Sequence, residues 1–456
     1  MNEFDLLKNA LSEAKYVPHE HLPVGPEELH ATGLAFARVD EVGSLGFTPA
    51  GRTCIHRLAS VLHERDERFR RGASLAAFRE KVASAALDYY DQRANLAHAD
   101  VAGLKNKLEQ WFQGHTKAET HLVPCALLPQ DARSFDVGPV RFISAGQLEA
   151  EGIKTAAFGD WLSNFANSRN ARWFARVEVR GEDARRRELA NAAVDLALAS
   201  LHLVLPLDPP MHRVSNRAVP DWVMSFTLDD SGEVWPGQTT SNTPADALSS
   251  EYFDQAIDAN ATLLKSCGAR IQAFLSVDEA LDGMSHAWCD AAYWYFEAAS
   301  DELDTAALAK LEACLENLTS STKGHKSNSR LRGLVQRVLG VPLTRPLSNN
   351  APLTYGGFVE ELVEARSRVL HGTASTLTGG AKLTRAEATK EAARLLKATS
   401  CLMDRYREVC PASDLSLDAF QDWTHREREK ARAAAQQNTP PHEPAPGETL
   451  ANDGGA

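Results

Sequence analysis

The stretch EARSRVLHGT, Glu364 to Thr373, sets an arginine at 366 and a histidine at 371, directly before Gly372. Read as a helix advancing 100° per residue from Phe358, the residues Phe358, Val369, Leu362, Val359, Leu370 and Val363 share an arc of roughly 140°, and Arg366 falls in its middle. Glu360, Glu361, Glu364 and Arg368 take the opposite, solvated side. A guanidinium on an apolar face cannot shed its proton, so Arg366 requires an anion. His371 precedes a glycine placed as a left-handed C-cap, at the negative end of the helix dipole, where an imidazolium is favoured by ~0.3 to 1 kcal/mol. From there it could serve as an acid or base near neutral pH. Position alone also fits a histidine that only caps the last carbonyls. Together, an arginine seeking an anion and a histidine placed to exchange protons suit phosphodiester chemistry.

Other residues would serve that chemistry. Between Asn317 and Val359 there is no Asp or Glu, while Lys323, Lys326, Arg330, Arg332, Arg337 and Arg345 occur. In a chain of net charge -12 this is a candidate groove for a nucleic-acid backbone, with Lys323, Lys326, Arg330 and Arg332 next to Arg366. The bland alternative is a solvated face. Glu316 is the candidate partner of Arg366, orienting or simply neutralising it. Tyr293, Trp294, Tyr295 and Phe296 have the faces to stack bases, though aromatics in a bundle are usually core. His19, Glu20 and His21 lack a third ligand at useful spacing, so they read as a surface loop and no metal site is expected.

The elements that must position these residues divide the chain. At 456 residues it exceeds what one core usually supports. With 43% hydrophobic and 24% charged residues, and no apolar run of membrane length, it reads as globular and without a membrane role. The N-terminus mixes acidic, basic and apolar residues unlike a secretion signal, which makes the cytoplasm the expected location. The seven scattered cysteines read as reduced core thiols. Residues 1–240 carry strand patterns in THLVPCALLP, VGPVRFISA and WFARVEVRG, and helical ones in LAAFREKVASAALDYYDQRA and DARRRELANAAVDLALASLHLVL. This is an α+β half. A polar connector from Gly237 and a first helix occupy 241–280, and 281–410 form an all-α helical bundle. Leu308, Leu311, Leu315 and Leu318 make one stripe of it, and a later helix opens at the capping box Thr384-x-x-Glu387. Residues 411–456 are expected as a helical extension and a disordered tail.

RSRVLHG matches the Arg-x4-6-His motif of HEPN ribonucleases, and the sequence resembles their Apea-like branch over roughly residues 281 to 410. The resemblance implies a C-terminal HEPN bundle that cleaves RNA without metal or cofactor, the 2'-hydroxyl attacking the adjacent phosphate to leave a 2',3'-cyclic phosphate and a 5'-hydroxyl. Arg366 would stabilise the phosphorane and His371 would move the proton. It also implies a homodimer whose two motifs line one cleft, since Arg366 and His371 stand about 140° apart on one helix. Ser367 departs from the Asn, Asp or His frequent beside the motif arginine. Relatives of this kind often act in anti-phage defence or as toxins, with the N-terminal half then a sensor or partner-binding module of unknown trigger. Arg57 and His63 in RLASVLH satisfy the same bare pattern, but the charge-dense ERDERFRR follows and no glycine does. Two other readings stand beside the nuclease: a non-catalytic HEPN dimerisation or RNA-binding module, and a helical dimer that scaffolds a partner.

Overall fold

Asn2 begins the first helix by accepting the Asp5 N–H with its side chain. A computed structural model describes residues 1–21, 34–39, 43–127, 129, 132–153, 172–208, 210–214, 222–228, 234–241, 248–319, 326–348, 353–373, 375–410 and 414–437. Helix α1 (Glu3–Ser12) leads to a three-stranded antiparallel sheet of β1 (Ala14–Pro18), β2 (Ala35–Val39) and β3 (Gly43–Phe47), with β3 central. Helices α2 (Pro49–Arg65), α3 (Glu67–Gly72), α4 (Leu75–Ala86) and α5 (His98–His115) follow. Pro49 sits in the first turn of α2 behind the Thr48 cap, where its missing N–H costs nothing.

A second antiparallel sheet is built from β4 (Lys117–Ala126), β5 (Phe135–Val137), β6 (Val140–Ser144), β7 (Trp173–Gly181) and β8 (His212–Arg213), in the order β5-β6-β7-β4-β8. The three strand patterns of the sequence lie in β4, β5 to β6, and β7. Alternation along β7 sends Trp173, Ala175, Val177 and Val179 into the main core and Phe174 to a small cluster with Ile143 and Leu148. Helix α6 (Asp183–Val204) lies on β7 and β4. Strands β9 (Trp222–Leu228) and β10 (Val234–Ser241) form a separate antiparallel ribbon, so the polar stretch from Gly237 is strand as far as Ser241 rather than connector throughout.

Helices fill the remainder: α7 (Ser250–Ala259), α8 (Ala261–Leu275), α9 (Gly283–Ala299), α10 (Asp304–Asn317), α11 (Ser327–Val338), α12 (Tyr355–Leu370), α13 (Arg385–Val409) and α14 (Leu417–Gln437). Two helices, not one, precede α9. The chain is thus mixed α+β with a helical C-terminal part. The capping box forms as read: Thr384 Oγ1 accepts the Glu387 N–H, and the Glu387 carboxylate accepts the Thr384 N–H at 3.1 Å. Helix α14 returns onto α13 by packing Phe420 and Trp423 against Tyr406. The expected tail beyond Gln437 lies outside the described residues. No helix among the described residues is long and apolar enough to cross a membrane.

One connected set of buried side chains runs from Leu6 to Trp423. Helix α6 joins its parts, packing on the second sheet and on α8 and α9. His202 of α6 illustrates the join. A carbonyl can only accept, so Nε2–H donates to the Leu207 oxygen at 3.1 Å, and Nδ1 accepts from the Tyr295 hydroxyl of α9 at 2.9 Å. Burial pushes the imidazole down to about 4, which keeps it in this neutral form. All seven cysteines are free; Cys125, Cys267, Cys289 and Cys314 are buried, but Cys54 and Cys410 are only half-buried and Cys401 is exposed, so the core reading holds for four.

The turn between β5 and β6 meets α8 at two glycines. Gly138 has a φ of 59°, and its N and Cα lie 2.4 and 2.5 Å from where a Cβ on Gly268 would stand. Backbone fills the space, so no side-chain motion relieves a methyl group there. Gly268→Ala is expected to destabilise the protein by about 1 to 3 kcal/mol, measured as a lower urea midpoint; an unchanged midpoint would show that the two backbones are not held this closely.

Candidate functional site

Thr354 starts α12 by accepting the Gly357 N–H at 3.2 Å. The helix buries Tyr355, Phe358, Val359, Glu361, Leu362 and Ala365. This face is rotated from the one drawn by apolar residues alone. It takes in Ala365 and Glu361, and leaves Val363 and Val369 half-buried and Leu370 exposed. Glu361, expected on the solvated side, is buried, with Lys382 Nζ 3.0 Å from its carboxylate and Arg368 at 3.8 Å. Arg366 consequently stands at the border of the buried face, with its side chain 40% exposed.

The helix ends as its glycine dictates. Gly372 takes a φ of 65°, its N–H reaches the Val369 oxygen at 3.2 Å, and the Thr373 N–H reaches the Arg368 oxygen at 3.0 Å. These two bonds are a Schellman motif. They make His371 the C-cap residue, exposed, with no side-chain hydrogen bond to another described residue. Its imidazole is therefore not consumed in capping the last carbonyls.

The anion beside Arg366 is Glu312, not Glu316. Arg366 Nε stands 3.4 Å from Glu312 Oε2, and the Glu312 side chain is fully buried between α10, α11 and α12. Its Oε1 accepts from Ser327 Oγ at 2.6 Å, while Oε2 has no hydrogen-bond partner among the described residues. Glu316, one turn further along α10, instead takes Arg330 Nη2 at 2.7 Å. The sequence held a signal for this assignment. On α10, Glu312 lies about 40° from Leu308 and Glu316 about 80°, so Glu312 is nearer the apolar stripe that faces the core.

The basic stretch is less free than its composition suggested. Arg330 is paired with Glu316 and Arg332 with Glu360 of α12. Lys326 is exposed at the start of α11, and Lys323 lies outside the described residues. Ser367 is exposed on the solvent side of α12. Of the aromatic run, Tyr295 and Phe296 are core, whereas Tyr293 and Trp294 are partly exposed and meet edge to face at 5.7 Å. The second Arg–His pattern resolves as structure: His63 is buried, with Nε2 3.0 Å from the Ala73 oxygen and its ring against Phe78. His21 and Glu20 are exposed and 3.9 Å apart. Among the described residues no three His, Cys, Asp or Glu side chains group as metal ligands.

The electrostatics of the site turn on Glu312. Burial pushes its carboxyl above the usual carboxylate range; Ser327 opposes that, Glu316 adds to it, and Arg366 and Arg330 oppose it. Chemically the arrangement offers a guanidinium aligned by a buried carboxylate and an exposed imidazole one and a half turns beyond. No family model, curated protein or solved structure matches the chain.

An acid whose folded-state pKa is raised binds its proton more firmly when folded, so it subtracts stability as pH rises. The window runs from the ordinary value of 4.5 upward to the raised folded value. Glu312→Gln keeps the shape and the Ser327 contact and removes the titration. Thermal midpoints across this window are expected to fall more steeply with pH for the parent than for the variant; parallel profiles would place the carboxylate in a wetter site than the packing indicates.

Proposed function

We propose that the helical part is a metal-independent endoribonuclease of HEPN type, with Arg366 and His371 as the residues that act on RNA. The observation that carries this reading is the unequal use of the arginine. Its Nε faces the buried Glu312, while its terminal nitrogens have no partner among the described residues and its side chain is 40% exposed. Two parallel N–H groups so aligned suit a phosphate with charge developing on its oxygens. The uncommitted imidazole of His371 supplies the proton transfer.

In the proposed reaction the 2'-hydroxyl oxygen bonds to the neighbouring phosphorus and gives up its proton. The bond to the 5'-oxygen breaks and that oxygen takes a proton, leaving a 2',3'-cyclic phosphate and a 5'-hydroxyl. Arg366 and His371 leave the helix about 140° apart, so one copy presents them to different sides. A homodimer bringing two α12 ends together would let the arginine of one copy and the histidine of the other serve one phosphate. The α+β part then acts as a sensor or partner-binding module, and the biological setting we infer is anti-phage defence or a toxin system.

A second reading rests on the pairing of Arg330, Arg332 and Arg366 with Glu316, Glu360 and Glu312. These pairs are what a non-catalytic bundle for dimerisation or RNA binding would contain. Under it Arg366 is structural and His371 is a cap.

Cleavage of total cellular RNA in EDTA separates the two. His371→Ala is expected to lower the rate by about 10²- to 10⁴-fold. Arg366→Ala leaves a buried carboxylate alone and risks unfolding, so it is tested in the Glu312→Gln background, where a loss of at least about 10²-fold is expected. Product ends should carry cyclic phosphate. Cleavage by all variants at the parent rate would remove the site from the reaction, and RNA binding without cleavage by any of them would favour the second reading.

A further inference from the structure

A different part of the molecule gathers positive charge without using it. Helices α2 and α4 pack together beside the three-stranded sheet and leave a cavity of about 650 Å³. Its lining mixes apolar Val39, Phe47, Ile55 and Ala83 with the charged or polar Arg52, His56, Arg79 and Glu80. A smaller cavity of about 460 Å³ adjoins it, shares His56 and Arg79, and adds Arg57.

The cationic cluster follows from helix spacing. Arg52, His56 and Ser60 are four residues apart and form one stripe of α2. Arg79 of α4 reaches that stripe, its Nη2 donating to Ser60 Oγ at 3.3 Å. Ala76 and Ala83, a turn on either side of Arg79, leave room around its guanidinium. Arg52, Arg57 and Arg79 form no ion pair among the described residues, and the Arg79 Nε is buried without a hydrogen-bond partner there. Most other arginines in the α+β part have such partners: Arg68 holds Asp66 and Glu109, and Arg141 holds Asp136 and Glu151. Glu80 lines the cavity and Glu64 its neighbour. Burial, then Arg79 and Arg52, hold the His56 imidazole below its ordinary value, as crowding by positive charge requires.

We propose that this cavity binds a small organic phosphate, with the phosphoryl oxygens on Arg52, His56 and Arg79 and a flat apolar group on Val39, Phe47, Ile55 and Ala83. Two arginines and an imidazole from two helices fit a tetrahedral oxyanion, whereas a planar carboxylate is satisfied by one guanidinium fork. The volume falls within the roughly 300 to 1,000 Å³ of small-molecule sites. The site is independent of the nuclease reading, and its test involves no RNA cleavage.

Phenyl phosphate carries both recognition elements and is the probe, titrated calorimetrically into the full chain beside inorganic phosphate and phenol. Phenyl phosphate is expected to bind at least about tenfold more tightly than inorganic phosphate, with phenol silent. Arg52→Ala, at an exposed position, and Arg79→Ala should each weaken it about tenfold or more. Ala83→Leu should remove the advantage of the ring while inorganic phosphate still binds, and Arg93→Ala, exposed elsewhere, should change nothing. No heat from phenyl phosphate up to about 10 mM, or equal affinity in both arginine variants of the cavity, would overturn the proposal. So would a 5'-phosphorylated single-stranded oligonucleotide that displaces the probe about a hundredfold more tightly and loses that advantage in salt, which would make the cavity part of a nucleic-acid surface.

Discussion

Helix α6 is the element on which the rest of the packing depends. From Leu196 to Leu203 every residue is buried, so this part of the helix has no solvated face. A helix apolar all round is stable in water only when covered on all sides. The second sheet covers α6 on one side, and α8 and α9 cover another. The α+β part and the helical part therefore share a core, and the change of composition near residue 240 marks a change of secondary structure across which burial continues. Two polar groups on α6 fit this surrounding. Ser200 returns its hydroxyl to the Leu196 oxygen at 2.8 Å, and His202 is satisfied at both ring nitrogens. Buried polar groups so paired cost little, and they specify which neighbour each turn must meet.

The same helix shows how far a sequence reads. Its apolar spacing reads as an ordinary amphipathic pattern through Ala190, Val194, Leu198 and Leu201, yet Ala193, Leu196, Ala197 and Ala199 between them are buried as well. Periodicity reports one covered face; it does not report a second layer contributed by helices that begin at Ala261 and Gly283. Strands β4, β6 and β7 were legible because alternation along them is strong. Strands β1 and β3 were not, since both are short and β3 contains Gly43 and Gly46, which carry no side chain to alternate. The capping box at Thr384 and the C-cap at Gly372 were legible because both are local devices set by backbone geometry within a few residues.

The candidate site divides along the same line. His371 and Gly372 are positioned by their own helix, and the sequence was sufficient for them. Arg366 is positioned across three helices, and a single helical wheel placed it at the centre of a face whose true border it occupies. Glu316, the partner expected for Arg366, shows the same limit. Adjacent turns of α10 offer two carboxylates; the wheel of α10 alone sets Glu312 nearer the apolar stripe, and the packing of α10 against α12 places it beside the arginine.

That contact is unlike another buried ion pair among the described residues. Arg213 is buried and gives Asp195 two parallel bonds, Nε to Oδ1 at 2.6 Å and Nη2 to Oδ2 at 2.7 Å. This is the fork geometry that best repays the desolvation of both charges. Arg366 offers Glu312 one nitrogen at 3.4 Å, and the carboxylate oxygen it faces remains without a hydrogen bond among the described residues. A fully buried carboxylate held this loosely reduces stability compared with a neutral side chain of the same shape. What the arrangement does achieve is orientation: the carboxylate fixes the inner edge of the guanidinium and leaves the outer fork unsatisfied. Under the proposed nuclease reading, an anion with two adjacent oxygens would complete the geometry that Glu312 begins.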